Sequence, residues 1–213
     1  MMKDDEVKDD EVKDDKVTAA TRNWLEKAVI GLNLCPFARA VYAGDRIRYV
    51  VSGATTIEAL LEVLAAELQV LADTDENQTE TTLLIHPQML GDFLEYNDFL
   101  EMADMLVEEF GLDGMLQVAS FHPQYQFSDT EPDDITNCSN RSPYPTLHLL
   151  RESSVERAVA AHPDTEQIYR DNIKTLRQLG REGWARLDVG APRSKSPWGA
   201  PRSKSPWGAP RKP

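Results

Sequence analysis

Two histidines occupy matching positions, each at the end of a predicted strand and directly before a proline. His86 lies in LLIHP at residues 83–87, and His122 lies in ASFHP at residues 119–123. If both strands run in the same direction, the two imidazoles lie at the carboxyl edge of the sheet, where open α/β sheets bind ligands. Two imidazoles there could share acid and base roles or bind a metal. The alternative is that each ring only makes hydrogen bonds that end its strand.

The segment over residues 122–145 is long, irregular and polar. Loops of this kind inside a compact domain often bind ligands. Arg141 is the candidate anion-binding residue, since a guanidinium binds a carboxylate or phosphate through two parallel hydrogen bonds. Asn140 and Tyr125 are candidates for contacting the same substrate. Asp129 is a candidate third ligand for a divalent metal held by the two histidines.

Cys35 has a context that favours reactivity. In GLNLCPFA, a proline at residue 36 suits the first turn of a helix, which would make Cys35 the residue that caps it. A thiol at a helix N-terminus has a lowered pKa, and a nearby histidine would make it a nucleophile. A buried, unreactive cysteine is the more common situation.

His148 and Arg151 lie on the strand that leaves the polar loop. Arg151 is a further candidate for substrate binding. His148 alternates with Leu147 and Leu149, so its ring points to the opposite face of the sheet from theirs. A role in the core or at the surface is favoured over a role as a third imidazole of the site.

Strands and long amphipathic helices alternate along the chain. Strands are predicted over residues 46–52, 82–85, 115–121 and 146–151, and the main helices over 19–31, 54–72, 93–110, 154–160 and 164–180. This alternation predicts an α/β fold with a small, mostly parallel four-stranded sheet, flanking helices and a long polar loop after the third strand.

Charge and repeats divide the chain into three segments. Residues 1–18 repeat an acidic KDDEV unit and carry a net charge of -4, and residues 190–213 repeat APRSKSPWG and carry +6. Neither repeat has a periodic apolar face, so both are predicted to be disordered tails. The remainder, 19–189, is predicted to be a single domain with a net charge of -15, within a total of -13.

The composition excludes several classes of protein. Two cysteines among 213 residues cannot form a disulfide scaffold. No apolar run is long enough for a membrane span, and no signal peptide is evident, so the cytoplasm is the expected location. The acidic domain disfavours nucleic acid as a partner. The usual motifs of nucleotide-binding proteins and serine hydrolases are not found.

Four strings of residues make the chain resemble an uncharacterised domain family of bacteria and photosynthetic eukaryotes. They are LNLCPFA (32–38), HPQ (86–88), FHPQYQF (121–127) and NRSPYPTLHLLRE (140–152). The resemblance covers about residues 19–180 and implies no reaction. It implies that the marked segments coincide with the site inferred above.

Two functional hypotheses follow. The first is an enzyme that catalyses hydrolysis or group transfer on a small anionic metabolite. Its cofactor is unknown, and a divalent metal is one candidate. In it, the catalytic candidates are His86, His122 and Cys35. The second is a non-catalytic domain that binds a ligand or another protein and whose histidines are structural.

Overall fold

We describe a computed structural model of the chain, which covers residues 3–161 and 164–191. The helices are α1 (Lys3–Trp24), α2 (Ala38–Ala43), α3 (Ile57–Asp73), α4 (Phe93–Glu109), α5 (Glu152–Ala161) and α6 (Thr165–Leu187). The strands are β1 (Ile47–Val51), β2 (Thr81–Ile85), β3 (Leu116–Phe121) and β4 (Thr146–Arg151). A π-helix over Leu25–Ile30 continues α1, and a 3-10 helix spans Ile135–Ser139.

The described strands form one mixed sheet in the order β1-β2-β4-β3. β1 and β2 are parallel, whereas β4 lies antiparallel between β2 and β3. The α/β class is therefore confirmed, but the prediction of a mostly parallel sheet is wrong. The polar loop returns the chain alongside β3, and this lets β4 insert between two strands that run in the same direction.

One face of the sheet is covered by α3 and α4. Thr56 caps α3 and Asp92 caps α4 through their side chains. The apolar stripes of the two helices then pack on the same-face residues of the central strands, such as Leu84 and Leu147, which are fully buried. These two helices lie where the spacing of their leucines and aromatic residues predicts them.

The opposite face is covered less completely, by segments that are distant in the sequence. Trp24 and the π-helix pack against Phe121 of β3, and Val189 after α6 joins the same cluster. α5 follows β4 directly and lies over the same side. Within α6, Gly180 has a φ of 64° and interrupts the helix at the residue where the sequence predicts its end.

Of the two terminal repeats, the structure describes the first from Lys3 onwards and leaves most of the second outside the described residues. The backbone is helical from Lys3, although residues 1–18 are expected to be disordered. A helix whose last turns are packed, with Val17 and Trp24 buried, can extend without a new nucleation step. The predicted tail at 192–213 lies outside the described residues. Among the helices of the described part, none is long and apolar enough to cross a membrane.

Candidate functional site

The two strand-end histidines lie at the same edge of the sheet, on either side of β4. Ile85 of β2 and Phe121 of β3 are both register partners of Thr146, the first residue of β4. His86 and His122 are the next residues, and each is fully buried. The predicted common edge is therefore present, although β4 separates the two strands.

The Tyr96 side chain of α4 fills the space between the two imidazoles. Its ring centroid lies 5.6 Å from that of His86 and 5.0 Å from that of His122, with interplanar angles of 23° and 30°. The Tyr96 hydroxyl donates to the Thr146 carbonyl at 2.8 Å. The sequence places Tyr96 on the apolar face of its helix, but the stack depends on contacts between distant segments.

Hydrogen bonds to the backbone occupy the His122 ring. The Gln124 N–H donates to Nδ1 at 3.0 Å, so Nε2 carries the proton and donates to the Leu90 carbonyl at 3.0 Å. His86 donates from Nδ1 to the Met89 carbonyl at 3.2 Å, while its buried Nε2 has no partner among the described residues. Both rings therefore hold the loop after β2, in which Leu90 has a φ of 54°.

Burial keeps both histidines neutral. It lowers the pKa of His86 and the pKa of His122 from 6.5 to about 4, more than offsetting the hydrogen bonds to Met89 and Leu90. Neither ring is exposed to solvent. The geometry thus gives these two histidines a structural role, and neither imidazole is accessible as a general base.

The predicted metal ligands are not brought together. The Tyr96 ring contacts both His86 and His122, and Asp129 lies exposed in the polar loop. Within residues 3–161 and 164–191, no three histidine, cysteine, aspartate or glutamate side chains lie where they could hold a metal ion. The residues proposed as a metal site therefore do not fit one.

Arg141 is engaged by the loop to which it belongs. Its Nε donates to the Tyr125 carbonyl at 3.0 Å, and its Nη2 donates to the Pro132 carbonyl at 2.6 Å. The backbone carbonyl of Asn140 accepts from the His122 N–H at 3.2 Å, and its side chain accepts from the Ser139 hydroxyl. These predicted substrate-binding residues instead stabilise the loop against β3.

The Tyr125 ring contributes packing to the same loop. Its centroid lies 5.2 Å from the Phe93 ring and 5.0 Å from the Phe127 ring. Partial burial raises the pKa of its hydroxyl. The side chain therefore joins the loop to the start of α4.

Arg151 stabilises the end of α3. Its Nη2 donates to the carbonyls of Leu71, Thr74 and Thr79 at 2.7, 2.6 and 3.0 Å, and Nε donates to Thr79 as well. A cation at a helix C-terminus satisfies carbonyls that lack a partner within the helix. This predicted substrate ligand thus acts as a C-terminal cap.

Replacing Arg151 with methionine is expected to lower the free energy of unfolding by about 2 kcal/mol, because several carbonyls lose a charged donor. Urea denaturation would measure this change. Arg157→Met is the control, since Arg157 makes an ion pair with Glu76 in which both side chains are largely exposed and the loss is expected to be small. Equal stability of the two variants would contradict the capping role.

A cavity of about 340 Å³ lies against the less covered face of the sheet. Leu83, Phe121 and His148 form its floor, and α5 contributes Val155 and Ala158. The remaining wall comes from the chain around the π-helix and α2, with Trp24, Leu25, Val29, Cys35, Phe37, Ala38 and Val41. The wall is almost entirely apolar.

The π-helix shapes this wall. Leu25, Ala28, Val29 and Ile30 are all buried within it, a wider apolar face than an α-helix of that length would present. π-Helical turns occur frequently at functional sites. The apolar run AVIGL was the only sign of this feature in the sequence.

Cys35 lies in the wall of this cavity, away from His86 and His122. α2 begins at Ala38 with Phe37 as its capping residue, so the prediction that Cys35 caps the helix is wrong. The Ala38 N–H instead donates to the Cys35 carbonyl. The turn 34–37 precedes the helix because the chain leaves the π-helix through Asn33, whose φ is 55°. Cys35 and Cys138 are both free thiols.

His148 is the histidine that faces the cavity. It is half-buried by surface area, its ring lies 5.6 Å from that of Phe121, and it makes no hydrogen bond with any described residue. Desolvation lowers its pKa from 6.5 to about 4. The sequence analysis favoured a core or surface role for this residue.

The charges around the cavity are already compensated. Among the described residues of the lining, Glu80 is the one acidic residue, and it is paired with Arg46. The same residues include no lysine or arginine. A bound anion would therefore find no opposite charge there.

A second, open groove of about 490 Å³ lies beside the loop that the two histidines hold. Met89, Leu90 and Phe99 give it an apolar base, and Glu95 and Asp98 line it without any lysine or arginine. This groove borders the loop at the predicted edge site, and its negative charge is unfavourable for an anionic substrate.

The comparisons with known proteins identify a family and no reaction. No curated protein and no solved structure matched the chain. A family model described as "Protein of unknown function (DUF1415)" matches residues 16–186, a span that includes every element from the end of the acidic repeat to α6. The chain therefore belongs to the DUF1415 family.

Proposed function

We propose that the protein is a ligand-binding domain that holds a small, mostly apolar molecule in the cavity between the sheet, the π-helix and α5. The cavity itself carries this proposal. Its volume of about 340 Å³ lies within the range of about 300–1,000 Å³ typical of small-molecule sites. Its wall combines apolar side chains with a few polar groups, as such sites do.

The histidines at the sheet edge have structural roles in this proposal. Their ring nitrogens bind the backbone of the loop after β2, and Tyr96 fills the space between them. The enzyme hypothesis for a small anionic metabolite needs those rings and Arg141 to be available to a substrate. Arg141 and Arg151 donate instead to backbone carbonyls. Binding is therefore the function that we favour.

The test uses a neutral apolar fluorophore and a variant that fills the cavity. N-phenyl-1-naphthylamine is expected to bind the full chain at one equivalent with enhanced, blue-shifted emission. Ala158→Phe places a ring in the cavity from α5, and we expect it to weaken binding at least tenfold. Fluorescence titration would measure both affinities.

Ala160→Phe is the matched control, since it lies on the same helix but is exposed. We expect it to bind the fluorophore like the unmodified chain. Equal weakening by the two substitutions, or no saturable binding to the unmodified chain, would overturn the proposal.

A further inference from the structure

The cavity contains one polar ring that nothing in the described chain satisfies. The His148 imidazole lies on the cavity floor, and neither of its nitrogens has a hydrogen-bond partner among the described residues. A neutral imidazole carries one N–H donor and one acceptor nitrogen. Because the ring is half-buried and borders the cavity, its nitrogens are available to a molecule inside it.

A second orphan donor lies in the same wall. Trp24 is 1% exposed, and its Nε1–H has no acceptor among the described residues. The Trp24 ring contacts Phe121 at 5.0 Å, and Phe121 contacts His148 at 5.6 Å. The Trp24 Nε1 atom is itself inaccessible, so the His148 imidazole is the ring whose nitrogens a molecule in the cavity can contact.

The charges around these groups define what they can bind. In the part of the chain that the structure describes, the lining has no lysine or arginine, and its single carboxylate, Glu80, is paired with Arg46. An anionic ligand would lose its hydration without gaining a counter-charge. A neutral oxygen would instead accept a hydrogen bond from a ring N–H while the rest of the molecule contacts apolar side chains.

Resting on the proposed binding function, we infer that the ligand is an uncharged molecule whose apolar body bears one carbonyl or hydroxyl oxygen, which the His148 imidazole binds. A carbonyl accepts from the imidazole N–H. A hydroxyl can accept in the same way or donate to the unprotonated nitrogen.

Three probes of nearly equal size test this inference: tetralin, 1-tetralone and 1-tetralol. They share one bicyclic body and differ in having no oxygen, a carbonyl or a hydroxyl. We expect 1-tetralone or 1-tetralol to bind the full chain at least tenfold more tightly than tetralin in calorimetric titration. If tetralin binds as tightly as both oxygenated probes, this inference is wrong while the binding function stands. If none of the three binds, the binding function itself fails.

His148→Phe keeps a ring of similar size and removes both nitrogens. It is expected to lose the preference for the oxygenated probes, so that within this variant 1-tetralone and 1-tetralol bind no more than about twofold more tightly than tetralin. A retained preference in this variant would overturn the role of His148. The three-probe comparison on the unmodified chain decides the ligand class even if the variant folds poorly.

Discussion

Lowering the pH from 7.0 to 5.5 is expected to reduce the free energy of unfolding by about 3–4 kcal/mol, because three desolvated histidines resist protonation. In the folded chain the pKa values of His86, His122 and His148 are lowered from 6.5 to about 4, with burial as the main cause. Below pH 6.5 the unfolded chain therefore binds more protons than the folded chain. Each histidine contributes about 1 kcal/mol to the loss over this interval.

The sign of this effect is fixed by the direction of the pKa shifts. The stabilisation is fully present above pH 6.5 and is lost as the pH falls towards 4. Urea denaturation at the two pH values measures it. The interval ends at 5.5 because most carboxylates remain ionised there, so the many acidic residues contribute little.

His148→Phe serves as the control for the pH effect. It removes one of the three titrating groups, and we expect the loss of stability to shrink by about a third. A stability that stays constant or rises on acidification would contradict the prediction. Titration of the assigned imidazole resonances of His86, His122 or His148 near 6.5 in the folded protein would contradict it as well.

The elements that depend on local patterns could be predicted from the sequence. α3 and α4 follow from the spacing of their apolar residues and from their capping residues Thr56 and Asp92, which are local properties. The position of β4 could not be predicted. Its pairing with β2 and β3 is set by how the polar loop returns, and sequence periodicity contains no information about pairing order.

The candidate site was likewise predictable only in part. The histidine–proline pattern correctly indicates that His86 and His122 end two strands at one edge. The type of a residue did not reveal which groups the candidate side chains contact. A guanidinium that suits an anion also suits backbone carbonyls, and Arg141 and Arg151 both contact carbonyls here.

The cavity was not predicted because no single segment encodes it. Its floor comes from strands of the sheet, and its walls come from the π-helix, the turn at Cys35 and α5. Sheet registry places His148 beside Leu83 and Ala119, on the face opposite α3 and α4. That face has no continuous helix over its centre, and the incomplete cover leaves the space.

Tyr96 connects the edge histidines to the core of the protein. The tyrosine ring contacts both imidazoles, and its hydroxyl binds the first residue of β4. Through His86 and His122, the stack also holds the carbonyls of Met89 and Leu90. The loop after β2, the start of β4 and α4 are therefore stabilised by one group of rings.

Tyr96→Ala is expected to lower the free energy of unfolding by about 3–5 kcal/mol, as large-to-small changes of buried aromatic residues do. Tyr96 is 0% exposed, so the vacated volume lies between the two imidazoles. Tyr96→Phe keeps the ring and loses only the hydrogen bond to Thr146, and we expect it to lower the stability by about 1 kcal/mol. Urea denaturation would measure both changes.

A second measurement separates the stack from a general loss of packing. Phe99 lies on the same helix and is also buried, but it contacts neither imidazole ring. Phe99→Ala is therefore expected to lower the stability to a similar degree while the pKa values of His86 and His122 stay low. In Tyr96→Ala, water can reach the rings, so those pKa values should rise towards 6.5. Histidine titrations that are identical in the two variants would show that Tyr96 does not desolvate the imidazoles.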